Sequence, residues 1–239
     1  MTSADVPDQT GADPTSPTAL EALVPFATVE VDVADDVSLR EAYTQRGLHT
    51  VLHHRPPSSV RHAGAALVLC GGALGGLHGP GRSLYQQLGE RWSARGVPVL
   101  RVGYREPNNL DLCAHDLAVG VELARDAGAE RVVVAGHSFG GAVAIRAAVV
   151  MTGSVSGVVT FATQSAGCEV APGLEGRPLL LIHGADDDVL PAQSSELVAA
   201  IAGRGEPVIL PGTGHGLAGA DEIILERLDV WLPSVLGLA

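Results

Sequence analysis

Residues 131–141, RVVVAGHSFGG, run from an uninterrupted apolar stretch straight into a serine flanked by glycines. An unbroken run such as Val132-Val133-Val134-Ala135 marks a strand buried on both faces, as in a parallel sheet, because a half-exposed strand alternates. The spacing after it predicts a helix over 139–150, so Ser138 falls on a strand–turn–helix junction. A nucleophilic serine at such a junction needs a turn too tight for side chains beside it, and Gly136 and Gly140 meet that need. The turn would hold the hydroxyl above the carboxyl end of the sheet. The helix start would aim free backbone N–H groups at developing negative charge. In a chain with 30 glycines the same residues also suit a plain tight turn. The strand before and the helix after are what favour chemistry.

Working outward, β-rich runs at 28–33, 49–55, 67–70, 97–102, 155–161, 178–182 and 207–210 join the one at 131–135. Helical stretches at 83–94, 111–127, 139–150, 194–202 and 221–232 alternate with them. In the second of these, Leu112, Leu117, Val121 and Ala124 share one face. Strands separated by helices mean crossover connections and an α/β fold, with a mostly parallel central sheet of about eight strands flanked by helices. The first two strands have no helix between them and are expected to pair antiparallel at one edge. Residues 1–24, rich in Thr, Ser, Ala, Asp and Pro, read as a disordered tail, and 25–239 as one domain.

Composition removes several function classes. Acidic residues number 27 and basic ones 15, a net charge of −12, which argues against a nucleic-acid partner. All 15 basic residues are Arg. Without lysine there is no Schiff base and no P-loop lysine for phosphates. Cys70, Cys113 and Cys168 are far apart and read as free thiols in a reducing compartment. No run approaches the roughly 20 apolar residues of a membrane span, and 1–24 lacks the features of a signal peptide. The expectation is a soluble, cytoplasmic protein. With no H-E-x-x-H, no Cys/His cluster and no dinucleotide-binding glycine pattern, neither a catalytic metal nor a cofactor is expected.

Gly136-His137-Ser138-Phe139-Gly140, the stretch 179–191 (LLLIHGADDDVLP) and Pro211-Gly212-Thr213-Gly214-His215-Gly216 occur in that order. In this respect the chain resembles the α/β-hydrolase superfamily over about residues 25–239, and within it the lidless, dienelactone-hydrolase-like serine esterases. The resemblance implies a catalytic triad of Ser138, an acid from the Asp186-Asp187-Asp188 loop, and His215. The family spacing selects Asp187, with its two neighbours as alternatives. His215 would take the serine proton and the carboxylate would fix the imidazole tautomer. The oxyanion hole implied is the N–H of Phe139 together with that of Ala73, or of Gly72, in the 71–76 loop. There the family's usual histidine is replaced by Gly71.

Only a short loop separates the strands at 155–161 and 178–182, where many members of that family carry a cap, so no cap domain is expected. His78, Tyr104 and Gln164 are candidate substrate contacts, with Arg105, Asn108 and Ser165 beside them. His137 lines the pocket or plays an ordinary structural part, and His183 is expected to support the acid loop. His53 and His54, adjacent in a strand, point to opposite faces and cannot chelate one ion. The function implied is hydrolysis of an ester, thioester or related activated acyl bond of a small molecule through an acyl-enzyme on Ser138. Acyl transfer, peracid formation and a non-catalytic ligand-binding role are the alternatives.

Overall fold

The structure, a computed structural model, describes residues 16–238. Nine strands make one sheet: β1 (Ala27–Ala34), β2 (Val37–Thr44), β3 (Gly47–His54), β4 (Ala65–Cys70), β5 (Val99–Gly103), β6 (Arg131–His137), β7 (Val155–Phe161), β8 (Leu179–Gly184) and β9 (Glu206–Leu210). Their order is β1-β2-β3-β5-β4-β6-β7-β8-β9. The six strands from β5 to β9 are mutually parallel, and β1, β2 and β3 extend the sheet antiparallel. Helices α3 (Leu110–Asp126), α4 (Phe139–Val150) and α5 (Gln193–Ala202) cover one face. Helices α2 (Leu84–Ser93) and α6 (Asp221–Leu236) cover the other.

The central strands are apolar throughout because both faces are buried. Val132, Val134 and Val158 meet α3 and α4 on one side, while Val133, Val159 and Phe161 meet α2 and α6 on the other. Each such side chain contributes about 1.5–3 kcal/mol when fully buried. Helix α4 illustrates which effect dominates. Its first turn holds Gly140 and Gly141 and it contains Val143 and Ile145, poor helix formers. Packing against β6, β7 and α3, rather than intrinsic propensity, therefore forms it.

Two expectations are corrected. The strands at 28–33 and 49–55 do not pair with each other: β2 lies between them, each pairs with it, and it brings the sheet to nine strands. The sequence VSLREAYT buries only Ser38, Ala42 and Thr44, small residues that carry no apolar alternation. Residues 16–24, read as tail, include a short helix, α1 (Ala19–Leu23). Thr18 and Glu21 cap it reciprocally, and the Glu122 carboxylate accepts from the N–H groups of Ala19 and Leu20 at 2.8 and 2.6 Å. Its Leu23 is buried beside Ala42 and Val119. Residues 1–15 lie outside the described residues.

Register sets the functional edge. Cys70 lies level with Gly136, Gly136 with Thr160, Phe161 with Ile182, and Gly184 with Leu210. The loops after β4, β6, β7, β8 and β9 therefore leave the sheet at one rim, where open α/β sheets bind ligands.

Candidate active site

Ser138 follows β6 directly and opens α4 with φ 56° and ψ −118°. Such a backbone costs about 1–3 kcal/mol and persists only where its surroundings over-determine it. Here two close backbone approaches do so. A Cβ at Gly136 would collide with the carbonyl of Gly140, and one at Gly140 with the carbonyl of Gly71. Ser138 N–H also donates to the Phe161 carbonyl at 2.8 Å. The elbow is thus pinned to β7 and to the loop after β4.

His215 comes from the loop after β9. Its Nε2 lies 3.0 Å from Ser138 Oγ and its Nδ1 lies 2.8 Å from Asp187 Oδ2. A carboxylate only accepts, so the imidazole proton sits on Nδ1 and Nε2 is left to accept from the serine hydroxyl. Asp187, on the loop after β8, has a fully buried side chain. Its Oδ1 accepts from the N–H groups of Val189 and Leu190 at 2.9 and 2.8 Å, and its Oδ2 also accepts from His183 Nε2 at 3.0 Å. Burial alone would raise its carboxyl pKa. The donors Leu190, His215 and Val189 outweigh that and hold it below the ordinary value. Asp186 and Asp188, on either side, are exposed.

The loop after β4 runs beside the serine. A Cβ at Gly72 would come within 3.7 Å of Ser138 Cβ and 3.6 Å of the His137 ring. Two buried phenols hold this loop, with Tyr104 donating to the Gly71 carbonyl at 2.9 Å and Tyr85 to the Cys70 carbonyl at 2.8 Å. The N–H of Phe139, at the start of α4, has no helical acceptor. Neither it nor the Ala73 N–H has a backbone partner among the described residues.

The expected substrate contacts divide. Tyr104 is buried, packs edge-on against Phe139 with ring centroids 6.3 Å apart, and spends its hydroxyl on Gly71, so it anchors the loop rather than facing a ligand. Arg105 is turned inward to a buried ion pair with Asp116 at 2.5 Å. A tyrosine and an arginine on a rim loop look alike in sequence whether they face in or out. His78 is exposed, its Nδ1 3.5 Å from Ser83 Oγ. Gln164 donates its amide to the Ala166 carbonyl at 2.8 Å, and its own N–H points to Ser138 O at 3.4 Å.

His137 takes a role that the sequence reading left open. Its Nε2 donates to the His215 carbonyl at 3.0 Å, and the two rings lie 5.0 Å apart. Burial lowers its pKa and so favours the neutral ring. No helix among the described residues is long and apolar enough to cross a membrane.

A family model described as "Alpha/beta hydrolase family" matches residues 81–219, more than half of the chain. Solved structures with the same fold include a serine hydrolase without a lid from Xanthomonas campestris. It is 17% identical over 88% of this chain and 98% of that one, with a TM-score of 0.62. Est1E from Butyrivibrio proteoclasticus is 15% identical over 88% and 99%, with a TM-score of 0.67, and has also been solved with ferulic acid bound. Dienelactone hydrolase from Anabaena variabilis is 16% identical over 86% and 97%, also with a TM-score of 0.67. No curated protein matches the chain at a significant level.

Proposed function

Given that this chain belongs to the alpha/beta hydrolase family, we propose that it is a serine hydrolase acting on an ester, thioester or related activated acyl bond of a small molecule. The observation that carries the reading is the unbroken hydrogen-bonded line from Ser138 Oγ through His215 to Asp187, at 3.0 and 2.8 Å. A structural turn needs no such line.

In this mechanism His215 Nε2 takes the hydroxyl proton as Ser138 Oγ bonds to the acyl carbon. The carbonyl oxygen becomes an oxyanion held by the N–H of Phe139 and that of Ala73, or of Gly72 beside the serine. Asp187 stabilises the imidazolium without taking its proton. Collapse breaks the bond to the leaving group, which receives the proton from His215. Water then attacks the acyl-enzyme with His215 as base, releasing the acid and restoring the hydroxyl. The short β7–β8 connection leaves the site without a cap, which favours water as acceptor over a sequestered alcohol or amine.

The test is labelling with a fluorophosphonate probe, with Ser138→Ala and His215→Ala alongside. Loss of labelling in both variants supports an activated serine. A screen of p-nitrophenyl, thioester, feruloyl and dienelactone substrates, the last two drawn from Est1E and the Anabaena enzyme, then assigns the class. Well-folded wild-type protein that neither labels nor turns over any of these overturns the proposal.

A further inference from the structure

We infer that His183, with Ser195 behind it, is a positioning residue that sets how much of the Asp187 charge reaches His215. The inference rests on the serine-hydrolase reading. His183 lies at the end of β8 and is completely buried, as is Ser195 on α5. Its Nε2 faces two oxygens that can only accept, Asp187 Oδ2 at 3.0 Å and the Leu190 carbonyl at 2.9 Å, so it carries a hydrogen. Its Nδ1 lies 2.7 Å from Ser195 Oγ, and with the hydrogen on Nε2 the serine hydroxyl donates to Nδ1 and fixes that tautomer. A second line, Ser195 to His183 to Asp187, thus meets the catalytic line at one oxygen from the opposite side.

Two consequences follow from the geometry. All four acceptor positions of the Asp187 carboxylate are filled, two by backbone N–H groups and two by imidazoles, so it cannot rotate away from His215. The His183 N–H also draws negative charge from the oxygen that His215 uses. Hydrogen bonding to a charged form favours that form and weakens its hold on further protons. Without His183, Asp187 would bind the His215 imidazolium more tightly.

The experiment measures p-nitrophenyl acetate hydrolysis across pH for wild type, His183→Leu, His183→Gln and Ser195→Ala, with proton NMR of the His215 Nδ1–H in each. For His183→Leu the expected result is a loss in kcat of about 10–100-fold with KM unchanged, and an acid limb displaced upward. His183→Gln keeps an N–H donor and is expected to recover much of both. Ser195→Ala, which leaves the backbone of α5 intact, is expected to lower kcat about 2–5-fold with a smaller displacement in the same direction, and it serves as the test if His183→Leu does not fold. A folded His183→Leu whose acid limb and Nδ1–H resonance both match wild type overturns the inference, since a space-filling histidine would move neither. If the resonance moves but wild type hydrolyses no activated ester, the positioning stands and the hydrolase reading falls.

Discussion

Lowering the pH from 7 to 5 is expected to destabilise this fold by about 5 kcal/mol through three histidines of β3. His49, His53 and His54 have pKa values lowered from 6.5 to about 4, each chiefly by burial, with Arg105 and Arg40, Arg55, and Arg101 respectively adding repulsion. None of the three faces a carboxylate as a hydrogen-bond partner, and His49 Nδ1, His53 Nε2 and His54 Nε2 have no partner at all among the described residues. His54 is also pressed against Gly89, where an added Cβ would lie 2.6 Å from the ring. The unfolded chain binds protons at these sites from about pH 6.5 downward, whereas the folded chain does so only near pH 4. Between those values the unfolded state holds more protons, so stability falls as pH falls. At about 1.36 kcal/mol per pKa unit, the loss of unfolding free energy between pH 7 and 5 amounts to about 2 kcal/mol per histidine. The total is a large part of the roughly 5–15 kcal/mol that a domain possesses. Urea unfolding followed by the fluorescence of buried Trp92, at pH 7, 6 and 5, reads the effect. The triple variant His49→Gln/His53→Gln/His54→Gln should be less stable at pH 7 but nearly flat across the range. A wild-type midpoint that does not move between pH 7 and 5, or a triple variant that keeps the full decline, refutes the reasoning.

Three further outcomes are expected. Asp187→Asn replaces an acceptor of four N–H groups by an amide and should lower kcat about 10³–10⁴-fold, whereas Asp186→Asn and Asp188→Asn should stay within a few-fold of wild type. Steady-state kinetics on one activated ester separates them. Tyr104→Phe strands the buried Gly71 carbonyl and should cost about 1–3 kcal/mol in urea unfolding, with slower probe labelling as the loop beside Ser138 loosens. Gly140→Ala drives a methyl into the same carbonyl, so labelling should fall to background while circular dichroism stays α/β; an alanine variant that labels at the wild-type rate would show that the two loops are not clamped together.

The candidate site was legible because the chemistry proposed for it needs particular residues at particular junctions. The run 132–135 ends at Gly136, whose place is set by the Gly140 carbonyl only four residues on. The acid loop and the histidine loop were legible for the same reason, each being a strand end followed by a short polar turn. Features resting on contacts between distant segments were not. Strand β2 is recognised only once β1 and β3 flank it, since its inward residues are small. The inward turn of Tyr104 and Arg105 depends on Gly71 and Asp116. His183 was expected to support the acid loop, but its shared oxygen with His215 appears only when β8 and the loop after β9 lie side by side.

The brief connection between β7 and β8 has an implication for how this scaffold can change. Every group in the proposed chemistry belongs to other loops, and the 3-10 turn Ala171–Leu174 in this connection packs against α4 and α5 without supplying one. A longer insert spliced at exposed Ala166 or Glu169 would roof the serine while leaving its clamps to Gly71 and Phe161 untouched. Substrate choice in such a chain is separable from the machinery beneath it, and it can be redesigned by grafting at one junction.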